Sequence, residues 1–368
     1  MERDNTIDIV KGIGIILVVL GHSGFQYMSF IYLFHMALFF AVAGWCFKDA
    51  YAKKIKNVCQ FVKKRMISLY IPYVLFNIIF ILLNNCFIRL NFYMASGPLI
   101  NNENVTMRQM QHLFGIKDYL KEIGKVLLFS GGSQMSGTFW FFKALFWASL
   151  IFAVSRFIVN RIKNRNLVIA FEILIMVIMT ALGIVMSYMN ILVMNIGTAF
   201  SMYAIMLFGY KMKSIQMKGT YTFWVLIVTF GVLLCLNTRG AIALDTNHYP
   251  HFVFLWLASI SGIIFVYMLS RMLAKNAFIS RILSYIGKFS MYIMCFHFLA
   301  FKIVNVIWVW IYDAPKSYIA SFPVLKGKGG WWLIYTIIGV LLPLILGGIV
   351  KKVWNSLKEG MRNEAAIG

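Results

Sequence analysis

The sequence predicts an all-α fold, a polytopic membrane helix bundle of about ten transmembrane helices. Hydrophobic residues make up 61% of the chain and charged residues 13%, whereas a soluble domain carries about 25% charged residues. The mean hydropathy is +0.78. The apolar residues form continuous runs long enough to cross a bilayer, and these runs lack the period-2 alternation of a membrane barrel strand.

Ten apolar runs, taken in order along the chain, approach the length of about 20 residues that a spanning helix needs. They lie at about 7–27, 30–47, 69–88, 138–157, 167–187, 190–210, 221–237, 252–270, 289–312 and 331–350. No internal repeat or low-complexity region separates them. We therefore expect one membrane-embedded domain over residues 1–368.

The basic residues between the runs predict the orientation in the membrane. The chain has 35 Lys and Arg against 12 Asp and Glu, a net charge of +23. Twenty-four of these cations fall in segments on the same side as the N-terminus, and nine fall on the opposite side. The positive-inside rule therefore predicts a multi-pass protein of the cell membrane with both termini cytoplasmic. These cations fall in short clusters between the apolar runs, which argues against a nucleic-acid partner.

The longest predicted extracytoplasmic loop covers about 89–137. It contains an amphipathic segment near 118–129, which we expect to lie on the membrane or to re-enter it. A loop of this length suits either a cover over an acceptor site or a solvated connector. The five cysteines are scattered and show no metal-ligand spacing, so we expect neither a disulfide nor a metal site.

Two ionisable residues of the first run share one helix face. Lys11 and His22 are eleven residues apart, a spacing that brings side chains back to within about 20° of each other and separates them by about 16 Å. A cation near the cytoplasmic surface and a base deeper in the membrane suit an anionic cytoplasmic donor. The structural alternative is a snorkelling lysine and an interior histidine.

Further candidates lie in later runs. His35 follows in the second run, where antiparallel packing would let it approach His22 and act as a base or an orienting partner. His297 is a third membrane-embedded histidine, expected nearer the inner half. Lys143 suits either a snorkelling anchor or a contact to a charged acceptor. The basic segment that includes Lys64 and Arg65 would meet anionic lipid or the phosphates of a nucleotide-like cofactor.

Four segments carry a resemblance to a known family. They are the Lys11-to-His22 spacing within 7–22, the FHMALFF and AGW strings of 34–45, the TFWF and ALF strings of 138–146, and the GKFS…H stretch of 286–297. Together they resemble the acyltransferase-3 family of integral-membrane acyltransferases, and within it the branch of fucose O-acetylase-like proteins. The family's Arg-x-x-Arg of the inner loop is Arg65-x-x-Ser68 here, so Lys63 or Lys64 would replace the second arginine.

The resemblance implies an O-acyltransferase that takes an acetyl group from cytoplasmic acetyl-CoA. It implies an extracytoplasmic glycan or cell-envelope polysaccharide as the acceptor. It also implies that the protein itself is in contact with the lipid bilayer. Carried over, His22 and His35 are the expected catalytic residues. The expected donor-binding residues are Lys11, Lys64 and Arg65, and the expected acceptor-binding residues are Trp140, Lys143 and His297.

A second hypothesis is a membrane carrier or binding module that recognises a glycan or small solute without chemistry. The sequence shows no inverted repeat and no pair of broken helices, features that are common in carriers. It also shows no P-loop and no G-x-S-x-G motif. These observations favour the acyltransferase.

Overall fold

The computed structural model describes residues 5–95, 97, 105–106, 110–214, 222–325 and 329–367. The described part is helical and contains no β-strand beyond two isolated bridges, Met94 with Met110 and Ala243 with His248. The predicted all-α class is confirmed.

The described residues of the first half of the chain form nine α-helices. They are α1 (Thr6–His22), α2 (Met28–Tyr32), α3 (His35–Trp45), α4 (Ile55–Arg65), α5 (Ile71–Leu82), α6 (Asn84–Arg89), α7 (Ile116–Leu127), α8 (Trp140–Val159) and α9 (Arg165–Tyr188). A π-helical turn, Met66–Tyr70, joins α4 to α5.

The described residues of the second half form seven more α-helices. They are α10 (Ile196–Ser201), α11 (Tyr203–Met212), α12 (Thr222–Asn237), α13 (Phe252–Leu273), α14 (Ala277–Lys288), α15 (Ser290–Ile311) and α16 (Trp331–Ile367).

Seven helical segments of the described chain are long and apolar enough to cross a membrane. They are Met28–Trp45, Ile55–Leu82, Trp140–Val159, Arg165–Tyr188, Phe252–Leu273, Ser290–Ile311 and Trp331–Lys352. The bent pair Val193–Ser201 and Tyr203–Met212 forms an eighth if it is one span. The apolar helices α1 and α12 have 17 and 16 residues. The chain is thus a multi-pass integral membrane protein, and the count of ten spans stays a prediction.

Loops that are far apart in the sequence meet at one end of the bundle, which we call the loop end. There Thr106, Asp245 and Phe322 line one cavity. At the opposite end, which we call the basic end, the Cys46 thiol interacts electrostatically with Lys11 and Arg65. The structure thus separates the loops predicted to be outside from the basic residues predicted to be inside.

Glycines let the helices of the core approach closely. A Cβ atom on Gly12 of α1 would lie 2.1 Å from the carbonyl oxygen of Leu283 in α14. A Cβ atom on Gly44 of α3 would lie 1.9 Å from the carbonyl oxygen of Met206 in α11. Small residues at such crossings allow backbone-to-backbone packing inside a membrane. The two crossings fix α1 and α3, which carry His22 and His35.

The amphipathic segment predicted near 118–129 forms α7, which packs along α5. The Tyr70 hydroxyl donates a hydrogen bond to the carbonyl oxygen of Leu127 at 2.8 Å. The apolar residues Ile116 and Leu120 of α7 are exposed, as expected for a helix in contact with lipid.

Candidate active site

A cavity of about 580 Å³ opens among the helices at the loop end. His22 and Tyr32 line it from the start of the chain, and Trp140 lines it from the first turn of α8. Thr106 and Asp245 line it from two separate loops. A cavity of this size with few polar groups is typical of a small-molecule site.

His22 is the last residue of α1, and its imidazole lies beside Tyr32. The Tyr32 hydroxyl donates to the carbonyl oxygen of Gly21 at 2.9 Å and lies 3.2 Å from Nδ1 of His22. Because the one hydroxyl proton goes to Gly21, the tyrosine oxygen is placed to accept a hydrogen bond from an N–H at Nδ1. This arrangement favours the tautomer with the basic lone pair on Nε2, as a general base requires.

His297 packs directly against His22. The two rings are stacked, with centroids 5.6 Å apart and an angle of 22° between their planes. Nδ1 of His297 lies 3.0 Å from the carbonyl oxygens of both Ile293 and Met294 and therefore carries the proton. Its Nε2 atom is buried and has no hydrogen-bond partner in the described part of the chain. The third histidine is therefore a direct neighbour of the first.

His35 lines the same cavity but reaches His22 through Tyr32. The tyrosine ring stacks on His35 at 5.1 Å between centroids and lies 5.9 Å from the ring of His22. Nδ1 of His35 lies 2.9 Å from the carbonyl oxygen of Ile31. Tyr32 thus lies between the two predicted catalytic histidines.

The predicted acceptor residues separate into two groups. Trp140 lines the cavity, and His297 packs behind its wall against His22. Lys143 lies one turn further along α8, partly buried and outside the lining.

The predicted donor residues lie at the basic end. Nζ of Lys11 pairs with Asp8 at 2.6 Å. The Lys64 ammonium lies 4.9 Å from the ring centre of Tyr51, and the Arg65 guanidinium lies 4.9 Å from that of Phe61. Such packing holds the cations close to the protein surface.

The face of α1 between Lys11 and His22 is buried by packing against neighbouring helices. Ile15 and Val18, which lie between Lys11 and His22 on this face, are 0% and 1% exposed. Val18 lines the cavity, whereas Lys11 is not among the described residues that do so. A donor held at Lys11 therefore reaches His22 only if the helices around Ile15 move apart.

Several residues of the site carried no readable signal in the sequence. Tyr32 is one of many aromatic residues, and Thr106, Asp245 and Phe322 lie in loops without a motif.

Within the described chain, no group of three or more His, Cys, Asp or Glu residues is placed to hold a metal ion.

The sequence of the chain is similar to those of known proteins. The acyltransferase-3 family, described as an acyltransferase domain, matches residues 4–350. The chain is also similar to Nodulation protein NolL of Sinorhizobium fredii (strain NBRC 101917 / NGR234), with 39% identity over 84 residues. That alignment covers 19% of this chain and 22% of the relative. No solved structure matches the chain. Because the family match covers nearly the whole sequence, the chain belongs to the acyltransferase-3 family of integral-membrane acyltransferases.

Proposed function

We propose that this membrane acyltransferase moves an acetyl group from cytoplasmic acetyl-CoA to a hydroxyl of an extracytoplasmic glycan or cell-envelope polysaccharide. The observation that carries the proposal is the environment of His22. Its imidazole lines a cavity at the loop end, and Nδ1 lies 3.2 Å from the Tyr32 hydroxyl. The family supplies the acyl-transfer class.

His22 acts as the general base. Nε2 accepts the proton of the acceptor hydroxyl while the hydroxyl oxygen attacks the carbonyl carbon of the thioester. The tetrahedral intermediate then collapses, the carbon–sulfur bond breaks, and the coenzyme A thiolate leaves. The proton on the imidazolium goes to the thiolate, which regenerates neutral His22. The ester product and the free thiol account for all atoms.

The chemistry of the cavity supports a glycan acceptor. Trp140 offers an aromatic face, Thr106 and Thr138 offer hydroxyl groups, and Asp245 offers a carboxylate. No Lys or Arg is among the described residues that line it. Hydroxyl-rich, uncharged groups suit such a lining better than phosphates or carboxylates do. Lys143 would contact the acceptor only where it extends beyond the cavity.

The basic end supports a donor with phosphates. Lys11 and Arg65 lie around the same thiol of Cys46, and Lys64 is a neighbour of Arg65 in α4. Side chains of this type bind phosphate oxygens through charge-assisted hydrogen bonds. In this proposal they hold coenzyme A at the cytoplasmic surface, and the helices around Ile15 move apart so that the thioester reaches His22.

The replacement His22→Ala tests the catalytic role. We expect transfer from acetyl-CoA to fall by about 10²–10⁴-fold, because a general base contributes that much. The measurement is transfer of labelled acetyl groups by the purified protein in proteoliposomes, with envelope glycan as the acceptor. The matched control is His112→Ala, since the His112 side chain is 71% exposed and lies outside the cavity lining.

Full activity of the His22→Ala protein would refute the role of this residue. A wild-type protein that binds glycan in this assay, yet shows no dependence on acetyl-CoA and forms no ester, would instead indicate the carrier or binding module.

A further inference from the structure

Part of the loop between α15 and α16 folds back into the bundle beside α15. After α15 ends at Ile311, the short 3-10 helix Lys316–Ala320 leads to Phe322, whose ring lies 4.7 Å from that of Phe298. Phe298 is 13 residues before the end of α15, which corresponds to about 20 Å along a helix. The segment therefore reaches from the loop end deep into the wall of the cavity.

This segment forms the cavity wall next to the reactive histidine. Phe322, Pro323 and Val324 line the cavity. Phe298, against which Phe322 packs, has its ring 5.1 Å from the ring of His22. An acceptor next to His22 would thus have this segment on one side.

Irregular backbone at such a position leaves carbonyl groups without helical partners, and Lys302 satisfies three of them. Its Nζ atom donates to the carbonyl oxygens of Ile319 at 3.3 Å, Ala320 at 3.0 Å and Ser321 at 2.7 Å. An ammonium group has three donors, and all three are used. The side chain is 0% exposed.

Neighbouring polar groups complete the support. Asn305 donates to the carbonyl oxygens of Ile319 and Ser321 at 3.0 and 3.1 Å. The Tyr335 hydroxyl donates to Oδ1 of Asn305 at 2.6 Å and accepts from the backbone amide of Leu325 at 3.3 Å. The segment is thereby tied to both α15 and α16.

The segment also fixes a second wall of the cavity. The backbone amide of Phe322 donates to the carbonyl oxygen of Thr106 at 2.9 Å, and the Thr106 amide donates to Oγ of Ser321 at 3.2 Å. Thr106 itself lines the cavity. The segment that Lys302 anchors therefore also holds the loop of Thr106 in place, although the two loops are far apart in the sequence.

We propose that Lys302 is a positioning residue of the transferase, whose ammonium group holds segment 319–324 in place as the wall that receives the acceptor. A buried cation is costly in a membrane protein, and it is tolerated where it satisfies backbone that lines a cavity. Lys302 contacts no reacting atom and acts through this segment. That the wall receives an acceptor rests on the proposed function. That Lys302 holds the segment rests on the hydrogen bonds above.

The replacement Lys302→Met tests the inference, since methionine keeps the apolar length of the side chain and removes the donors. We expect the KM for the acceptor to rise by about tenfold or more, because three buried carbonyls each lose a charge-assisted hydrogen bond. The KM for acetyl-CoA should stay within about twofold, since the donor residues lie at the other end. Lys302→Arg, which keeps a cation, should restore part of the acceptor affinity. The matched control is Lys316→Met, an exposed lysine of the same segment, which should behave as the wild type.

A second measurement does not depend on activity. Hydrogen–deuterium exchange of peptide 316–325 in nanodiscs should be faster in Lys302→Met than in the wild type and Lys316→Met. Tyr335→Phe, which removes two of the supporting hydrogen bonds, should shift exchange and acceptor KM in the same direction by less. This milder variant keeps the test decisive if Lys302→Met does not assemble.

The outcomes separate the two proposals. An unchanged acceptor KM in active Lys302→Met, an equal rise in donor KM, or unchanged exchange of peptide 316–325 would each overturn the role of Lys302. A wild-type protein without acetyl-CoA-dependent transfer would overturn the proposed function, and the exchange experiment would then still decide whether Lys302 holds the segment.

Discussion

The Tyr32 hydroxyl is the group that would orient His22 in the proposed reaction. It hydrogen-bonds to Gly21 and lies 3.2 Å from Nδ1 of the imidazole. A base that is held in one tautomer spends no free energy on reorientation when the proton is transferred. The same ring stacks on His35, so one side chain contacts both cavity histidines.

At this scale we predict the effect of Tyr32→Phe. The ring remains, so packing on both histidines is kept, but the hydroxyl is lost. We expect kcat for acetyl transfer to fall by about fivefold, as the loss of the hydrogen bond to His22, worth about 1 kcal/mol, implies. Steady-state kinetics in proteoliposomes provide the measurement. Tyr285→Phe is the matched control, because Tyr285 is 51% exposed and lies outside the cavity lining. An unchanged kcat would contradict the orienting role.

The crossing of α3 and α11 determines where His35 is placed, because His35 is the first residue of α3. Gly44 and Gly209 make this crossing close. A Cβ atom on Gly209 would lie 2.0 Å from the carbonyl oxygen of Ala41. Even one methyl group therefore requires the two helices to separate.

At the scale of elements we predict that Gly209→Ala destabilises the protein. Overpacking of a tight contact costs about 1–3 kcal/mol, so the thermal unfolding midpoint in detergent should fall and acetyl transfer should weaken as α3 shifts. Gly231→Ala in α12 is the matched control, since no atom lies within 4 Å of its added Cβ. Alanine favours a helix there, so its midpoint should equal or exceed that of the wild type. Equal midpoints for both variants would contradict the packing argument.

The whole molecule places the cavity and the basic residues at opposite ends. Three loops meet over the cavity, and Lys11 and Arg65 are each within electrostatic reach of Cys46 at the other end. If the basic end faces the cytoplasm, the donor and the acceptor approach from opposite sides of the membrane. The orientation is therefore part of the proposed mechanism.

Labelling with a membrane-impermeant maleimide tests this orientation. Position 246 lies exposed in the loop 238–251, and native Cys59 is exposed in α4. In intact cells we expect a thiol introduced by Thr246→Cys to be modified, and Cys59 to be modified only after permeabilisation, as read by peptide mass spectrometry. The wild-type peptide around position 246 serves as the control. The reverse pattern would place the cavity on the cytoplasmic side and contradict the proposed route.

The amino-acid sequence by itself determined the all-helical class, the membrane location and the stripe from Lys11 to His22. These features depend on local quantities: the length of apolar runs, the charge between them and the 3.6-residue period of a helix. The structure agrees with the predicted helices, since each of the ten predicted runs contains a helix.

The tertiary structure alone decided which groups meet at the site. His297 stacks on His22, Tyr32 lies between His22 and His35, and Lys302 anchors a folded-back loop that forms the cavity wall. These contacts join residues that are distant in the chain or lie in loops without periodicity. A sequence pattern reports what a residue does within its own helix, whereas the choice of partner depends on how close the helix backbones approach, which the glycine crossings set.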